Sequence, residues 1–215
     1  MIVRLTCPVF MIIKICGITN ADDAFHAASL GANALGFIFS KNSPRYVSPQ
    51  TVEEITPFLP PFIQLVGVFV DAEKAEIEET MQRCRLDVVQ LHGQETPEFC
   101  LRMNRRVIKA FRVAEPEDVE ALAQYQGMIS AALLDTKVKN MEGGSGKIFD
   151  WGLALKAKEY DIPIILAGGI NSGNIKKAIQ LVNPYAIDLS SGVESSPGRK
   201  DYNKMRDIIQ LARDL

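Results

Sequence analysis

The sequence of 215 residues predicts an α/β fold in which eight parallel strands close into a single barrel. Two observations support this prediction. Short apolar runs alternate along the chain with polar segments of helical period, which gives eight strand–helix units. All eight runs are comparably apolar, whereas an open sheet of parallel strands has more polar edges. A single-domain (β/α)8 barrel, the TIM barrel, therefore fits better than an open, doubly wound sheet.

The elements follow one another in a regular order. The predicted strands span residues 12–16, 34–39, 63–70, 87–91, 106–111, 131–135, 163–167 and 185–189. The predicted helices span residues 20–30, 49–57, 72–84, 95–104, 115–125, 150–160, 172–182 and 200–213. Asn20, Pro49, Pro97 and Pro116 stand where helix starts favour a cap or a proline. No linker divides the chain, so we expect one barrel domain over residues 11–215 and an N-terminal extension over residues 1–10.

Composition argues against several classes of function. There are 24 lysines and arginines against 26 aspartates and glutamates, and the net charge of −2 gives no attraction to nucleic acid or anionic lipid. No apolar run approaches the roughly 18 residues of a membrane helix. The four cysteines form no CxxC pair and there are two histidines, so we expect no metal site. These features are typical of a cytoplasmic protein with reduced thiols.

In a barrel of this kind, function lies in the loops that follow the carboxyl ends of the strands. Gly168 and Gly169 follow the seventh predicted strand, and Ser190, Ser191 and Gly192 follow the eighth. Glycines let the backbone approach a ligand closely, and hydroxyls and N–H groups near helix starts attract anions. Tight turns alone would explain either loop, but barrels usually bind phosphate in these two units. The sequence therefore predicts a phosphorylated small molecule as the ligand.

Cys16 and Asp135 are the predicted acid–base residues. Cys16 ends the first strand just before Gly17, where nearby N–H dipoles are expected to favour the thiolate and lower its pKa. Asp135 ends an apolar strand, where a poorly solvated carboxyl retains its proton and can act as an acid. An inert buried thiol and a loop-capping carboxylate are the structural alternatives. A base and an acid on either side of a sugar phosphate suggest isomerisation.

Four other polar residues are predicted to contact the substrate. Because side chains alternate along a strand, Gln90 and His92 share one side of the fourth strand and Asp188 lies on the inner side of the eighth. Arg45 follows the second strand in a Ser-Pro-Arg loop. Its guanidinium can bind a carboxylate with two hydrogen bonds, although a solvated position at the surface is the alternative.

Two lysines and a glycine-rich segment have alternative interpretations. Alternation places Lys14 on the same side as Cys16, so its ammonium is either paired with a carboxylate or forms a Schiff base, as in aldolases. Lys109 is a second Schiff-base candidate. Residues 143–147 resemble a nucleotide-binding loop, but residues 141 and 148 lack the glycine and the hydroxyl that this motif needs. A flexible lid over the pocket is the better interpretation.

In their order and spacing these motifs resemble the phosphoribosylanthranilate isomerase family of tryptophan biosynthesis. The resemblance spans residues 11–215. It rests on Lys14-Ile15-Cys16-Gly17-Ile18-Thr19, Ser43-Pro44-Arg45-Tyr46, Gln90-Leu91-His92-Gly93, Leu134-Asp135-Thr136, Gly144-Ser145-Gly146-Lys147, Ala167-Gly168-Gly169 and Asp188-Leu189-Ser190-Ser191-Gly192. Each motif alone is weak, but the set is specific and shows no departure at a functional position.

The resemblance implies an Amadori rearrangement without metal or organic cofactor. N-(5-phospho-β-D-ribosyl)anthranilate would become 1-(2-carboxyphenylamino)-1-deoxy-D-ribulose 5-phosphate. Asp135 would protonate the ring oxygen as general acid, and Cys16 would remove the C2′ proton as general base. Arg45 would hold the anthranilate carboxylate, Asp188 would contact the substrate near the reacting centre, and the loops after the seventh and eighth strands would bind phosphate.

Two other functions use the same residues differently. A Schiff-base aldolase acting through Lys14 or Lys109 would be trapped by borohydride, and a non-catalytic phosphosugar-binding protein would bind ligand without turnover and tolerate Cys16→Ala. For the isomerase we expect a small-molecule substrate, no nucleic-acid or membrane partner, and either a monomer or a homodimer.

Overall fold

The computed structural model describes residues 11–136 and 151–214. Eight parallel strands pair in chain order, and the eighth pairs with the first, which closes the barrel. The strands are β1 (Ile12–Cys16), β2 (Ala34–Ile38), β3 (Gln64–Phe69), β4 (Val88–Leu91), β5 (Arg106–Val113), β6 (Ala131–Thr136), β7 (Ile164–Leu166) and β8 (Ala186–Leu189). The predicted barrel is confirmed. The predicted N-terminal extension, 1–10, and the glycine-rich segment, 143–147, lie outside the described residues.

Eight helices alternate with these strands in the described part of the chain. They are α1 (Ala21–Ser29), α2 (Pro49–Ile55), α3 (Lys74–Arg83), α4 (Pro97–Leu101), α5 (Pro116–Glu120), α6 (Trp151–Ala157), α7 (Ile175–Val182) and α8 (Tyr202–Arg213). The side chains of Asn20, Ser48 and Thr96 accept hydrogen bonds from first-turn N–H groups, as N-caps do. Over residues 11–136 and 151–214, no helix combines the length and the apolar character needed to cross a membrane.

Helix α7 begins at residue 175 rather than at the predicted residue 172. Asn171 and Asn174 form a turn instead, because the Asn171 N–H donates to Asn174 Oδ1 and the Asn174 N–H donates to the Asn171 carbonyl. Asparagine side chains compete with helical hydrogen bonds in this way. The turn leaves the loop after β7 with an irregular backbone next to the barrel mouth.

The core has two layers because successive strand residues face opposite sides. Alternate residues fill the barrel interior, including Val66, Ile108, Leu133 and Ile165. The residues between them pack outward against the helices, and Phe37 on β2 is an example that is fully buried. The interior layer lies beneath the polar residues at the carboxyl ends of the strands.

A short antiparallel hairpin follows β8 and was not predicted. Its strands are β9 (Glu194–Ser196) and β10 (Arg199–Lys200). Gly198 has a positive φ of 78°, and its carbonyl accepts a hydrogen bond of 2.6 Å from Thr19 Oγ1. The hairpin places Lys200 beside the end of β1, where its Nζ donates to the Cys16 carbonyl at 2.6 Å.

Candidate active site

One cavity of about 530 Å³ opens at the carboxyl ends of the strands. Every residue that the sequence predicted for the site lines this cavity, including Cys16 on β1, Asp135 on β6 and Asp188 on β8. Two further polar residues, Ser43 and Arg112, were not predicted and line it as well. The carboxyl ends of parallel strands meet at one face of a barrel, so residues distant in sequence share this space.

Cys16 is a free thiol whose residue is only 5% exposed. Burial raises the pKa of Cys16, since a thiolate is poorly solvated there, and the Lys14 ammonium acts in the opposite direction. The expectation of a lowered pKa is therefore wrong. The N–H groups of Gly17 and Ile18 both donate to the Gly36 carbonyl, at 2.9 and 3.0 Å, and so are not available to the sulfur.

Lys14 is buried and ion-paired. Its Nζ donates to Asp188 Oδ1 at 2.8 Å, and both side chains are less than a tenth exposed. Burial alone would lower the pKa of Lys14, but the negative charge of Asp188, with a smaller contribution from Cys16, outweighs burial and raises the pKa. The ammonium is therefore charged and paired with a carboxylate, which is the structural alternative to a Schiff base.

Lys109 is held in a similar way. Its Nζ lies 3.1 Å from Glu95 Oε2 and also donates to the carbonyls of Gly93 at 2.8 Å and Ala110 at 3.0 Å. A Schiff-base lysine needs a neutral amine, and this ammonium is surrounded by acceptors. Neither lysine supports the aldolase alternative.

Arg45 reaches the cavity but is engaged by a carboxylate of the protein. Its Nε and Nη2 donate to the two oxygens of Glu194 at 2.8 and 2.7 Å. Lys200 Nζ donates to Glu194 Oε1 at 2.9 Å, so one carboxylate joins two cations. Burial opposes ionisation of Glu194, but the hydrogen bonds from both cations prevail and lower its pKa. Burial lowers the pKa of Lys200.

Asp135 lies next to a histidine that is itself oriented by an amide. His92 Nε2 is 3.5 Å from Asp135 Oδ2, and Gln90 Nε2 is 3.3 Å from His92 Nδ1. With Gln90 as donor, Nδ1 accepts and the imidazole hydrogen on Nε2 faces Asp135. The prediction that Gln90 and His92 share one side of the fourth strand agrees with this geometry. Gln90 Oε1 is buried and has no hydrogen-bond partner among the described residues.

The two predicted phosphate loops form one wall of the cavity. Gly168 and Gly169 have positive φ values of 78° and 67°, which side chains other than glycine rarely adopt. A Cβ on Gly192 would collide with the carbonyl of Ile170, so the loops after β7 and β8 are in direct contact. Among the described residues, no acceptor takes a backbone hydrogen bond from Gly168 or Gly169. These N–H groups can be offered to an anion.

Glu194 and Lys200 are, with Arg112, charged residues at or near the site that were not predicted from the sequence. Glu194 and Lys200 both belong to the hairpin after β8, and neither is on a strand of the barrel. The Pro197-Gly198 dipeptide is a turn signal that could have indicated the hairpin. Within residues 11–136 and 151–214, no three His, Cys, Asp or Glu side chains are grouped so that they could hold a metal ion.

A closed parallel barrel with ionisable groups gathered at the carboxyl ends of its strands defines a (β/α)8-barrel enzyme. Comparison with known proteins gives its family. A family model described as N-(5′-phosphoribosyl)anthranilate (PRA) isomerase matches residues 13–211, and the chain belongs to that family.

Individual relatives agree over almost their whole length. N-(5′-phosphoribosyl)anthranilate isomerase of Geobacter metallireducens is 50% identical over 201 residues, which cover 94% of this chain and 98% of that one. A crystal structure of phosphoribosyl anthranilate isomerase with reduced 1-(o-carboxyphenylamino)-1-deoxyribulose 5-phosphate is 39% identical, with a TM-score of 0.87 and coverage of 96% and 100%. A monomeric form of the dimeric isomerase from Thermotoga maritima is 38% identical, with a TM-score of 0.86 and the same coverage.

Proposed function

We propose that this chain converts N-(5-phospho-β-D-ribosyl)anthranilate to 1-(2-carboxyphenylamino)-1-deoxy-D-ribulose 5-phosphate, with Asp135 as general acid and Cys16 as general base. The observation that carries the proposal is that both groups line one cavity whose wall contains the two glycine and serine loops. A phosphate on those loops fixes one end of the sugar between the acid and the base.

The reaction needs one proton donated and one removed. Asp135 gives its proton to the ring oxygen, the bond from that oxygen to C1′ breaks, and the anthranilate nitrogen supplies electrons to form a protonated Schiff base. The Cys16 thiolate then takes the C2′ proton, and the electron pair moves to give an enolamine. The enol hydroxyl loses its proton, C1′ gains one, and the aminoketose results. Solvent returns a proton to Asp135 and removes one from Cys16.

Arg45 and Gln90 hold the rest of the substrate. The guanidinium has five N–H donors, and Glu194 takes the Nε hydrogen and one on Nη2. The free edge formed by Nη1 and Nη2 still offers two parallel donors to the anthranilate carboxylate, and Glu194 fixes their direction. Gln90 Oε1 is a buried acceptor that a substrate hydroxyl can satisfy, which removes the desolvation cost of about 1–3 kcal/mol.

A coupled assay tests the proposal. Anthranilate and phosphoribosyl pyrophosphate supply the aminoaldose, and its fluorescence disappears when the isomerase is added. We expect Cys16→Ala and Asp135→Asn to remove most of kcat while substrate still binds. Cys84→Ala is the matched control, because Cys84 is a buried free thiol that does not line the cavity. Turnover like that of wild type in either site variant contradicts the role assigned to that residue.

The exposed segment 58–62 supports a homodimer. Phe58 is 74% exposed and Phe62 is 95% exposed, and the segment precedes β3, so it lies at the amino ends of the strands, away from the cavity. Exposed aromatic side chains are typical of protein interfaces, and the Thermotoga relative is dimeric. Sedimentation equilibrium is expected to give a dimer for the wild type and a monomer for Phe62→Ser. A wild-type monomer at micromolar concentration contradicts this proposal.

The thiols support a cytoplasmic location. Cys16, Cys84 and Cys100 are all free and buried, and unpaired thiols are typical of a reducing compartment. Fractionation of cells that produce the protein is expected to place the isomerase activity with the cytoplasm, and its recovery with the membrane fraction would contradict this.

A further inference from the structure

We infer that Lys14 is a positioning residue for this reaction, whose ammonium fixes the Cys16 sulfur and stabilises the thiolate that removes the C2′ proton. The inference rests on the proposed function, in which Cys16 is the base. Burial and pairing alone would mark the Lys14–Asp188 ion pair as structural. Its position beside Cys16 gives it a part in the chemistry.

The geometry brings the two side chains to one point. Lys14 and Cys16 are two residues apart on β1, so both face the barrel interior. A Cβ on Gly36 of the neighbouring strand would lie 2.8 Å from Cys16 Sγ and 3.1 Å from Lys14 Nζ. The ammonium and the sulfur therefore converge in the space that the glycine leaves, and the charge of each influences the ionisation of the other.

Four charged groups face Cys16 from the elements around it. Lys14 lies on its own strand, Asp188 on β8, Lys200 on β10 and Arg45 after β2. Arg45 and Lys200 share the carboxylate of Glu194, which offsets their charge. Asp188 opposes formation of the thiolate, and Lys14 has the larger effect in the favourable direction. Lys14 is thus the cation that most favours the thiolate.

Asp188 keeps Lys14 in its charged form. A buried ammonium without a partner would lose its proton, but the Asp188 carboxylate 2.8 Å away holds it. Lys14 therefore stays protonated while Cys16 releases its proton to solvent and later accepts the C2′ proton. The arrangement lets a buried thiol ionise although its surroundings disfavour the charge.

The test titrates Cys16 in the substrate-free protein. The rate of iodoacetamide alkylation of the Cys16 peptide, followed by mass spectrometry across a pH series, reports its thiolate. We expect Lys14→Met to move the midpoint to higher pH by about one unit or more, and the acidic limb of kcat/KM to move with it. Lys14→Arg keeps the charge and is expected to restore most of the wild-type midpoint. Lys109→Met is the matched control, a buried ion-paired lysine that does not face Cys16, and should leave the midpoint unchanged.

A Cys16 midpoint that does not move in folded Lys14→Met, or that moves equally in Lys109→Met, overturns the inference. If Lys14→Met does not fold, the double variant Lys14→Met/Asp188→Leu removes the pair together and buries no unpaired charge. It should still shift the midpoint to higher pH, since the effect of Lys14 exceeds that of Asp188, and an unchanged midpoint there also overturns the inference. The titration needs no turnover, so a Cys16→Ala enzyme that retains activity would refute the proposed function separately.

Discussion

Two buried lysines in the same barrel differ in what surrounds them. Lys14 on β1 and Lys109 on β5 are each 3% exposed, and each faces a carboxylate, Asp188 at 2.8 Å and Glu95 at 3.1 Å. By burial and by pairing the two are equivalent. Lys109 additionally donates to backbone carbonyls, whereas Lys14 shares its surroundings with the thiol of Cys16.

The difference shows that a buried ion pair is not itself a sign of function. Ion pairs of this kind contribute little net stability, although breaking one by removing a single partner is costly. What separates the two lysines is the third group beside each, which is a backbone carbonyl for Lys109 and a free thiol at the cavity for Lys14. The comparison predicts that damage at Lys109 affects stability and damage near Lys14 affects turnover.

Lys109→Met is expected to give the largest loss of stability. It leaves Glu95 buried without its cation, which costs about 3–5 kcal/mol of the free energy of unfolding. Urea unfolding measures this loss, and kcat measured well below the unfolding midpoint should remain close to that of wild type. A variant of normal stability with a low kcat would place Lys109 in the same functional class as Lys14.

Gly36→Ala and Gly67→Ala form a matched pair for turnover. The new methyl group on residue 36 meets the sulfur of Cys16, and displacing a reacting group lowers kcat by on the order of tenfold to a hundredfold. A methyl group on residue 67 faces outward and lies 2.8 Å from Phe69 and 2.9 Å from Leu86. It overpacks the core and lowers the free energy of unfolding by about 1–3 kcal/mol.

Steady-state kinetics of both glycine variants measure kcat, and urea unfolding measures the free energy of unfolding. We expect Gly67→Ala to lose stability and keep kcat, and Gly36→Ala to lose kcat beyond what its stability explains. Equal losses of kcat in both variants would show that general core strain, and not the position of the sulfur, is being measured.

The barrel and the location of its cavity were predictable because they depend on local, periodic features. Residues 131–134 of β6, for example, are all apolar, and Asp135, which follows them, stands out for that reason. The pKa of Cys16 was not predictable, since it depends on where the N–H groups of Gly17 and Ile18 donate and on how deeply the sulfur is buried.

The partner of Arg45 was not predictable from the sequence either. Glu194 is 149 residues away along the chain, at the start of β9 in the short hairpin after β8. No periodic pattern marks so short a hairpin. Contacts between an irregular loop and a distant strand end depend on the assembled tertiary structure, which explains why the predicted residues line the cavity although their pairing was not predicted.

Glu194→Gln is expected to lower the free energy of unfolding by an intermediate amount that depends on pH. Burial acts to raise the pKa of Glu194, but hydrogen bonds from Arg45 and Lys200 lower it on balance. The stabilisation by ionised Glu194 is therefore present above its unfolded pKa and is lost as the pH falls through the lower folded pKa. We expect a loss of about 1–3 kcal/mol at neutral pH.

Urea unfolding at a series of pH values checks this expectation. The difference between wild type and Glu194→Gln should begin to shrink as the pH falls below the unfolded pKa of about 4.3, and it should disappear once the folded carboxylate, whose pKa is lower, is protonated as well. Ser196→Ala, an exposed neighbour on the same hairpin, should show no such dependence. A difference that stays constant with pH would mean that Glu194 stabilises the hairpin by packing and not by its charge.

Removing the exposed ion pair of Arg83 and Glu53 is expected to have the smallest effect on stability and on kcat. Arg83 Nε donates to Glu53 Oε2 at 2.9 Å, as short a contact as the buried pairs make, but both side chains are almost half exposed. Water solvates the charges whether or not the pair forms, so Arg83→Gln should leave the urea midpoint and kcat unchanged. A loss close to that of Lys109→Met would show that distance rather than burial sets the strength of these pairs, and the contrast between the two buried lysines would then need another cause.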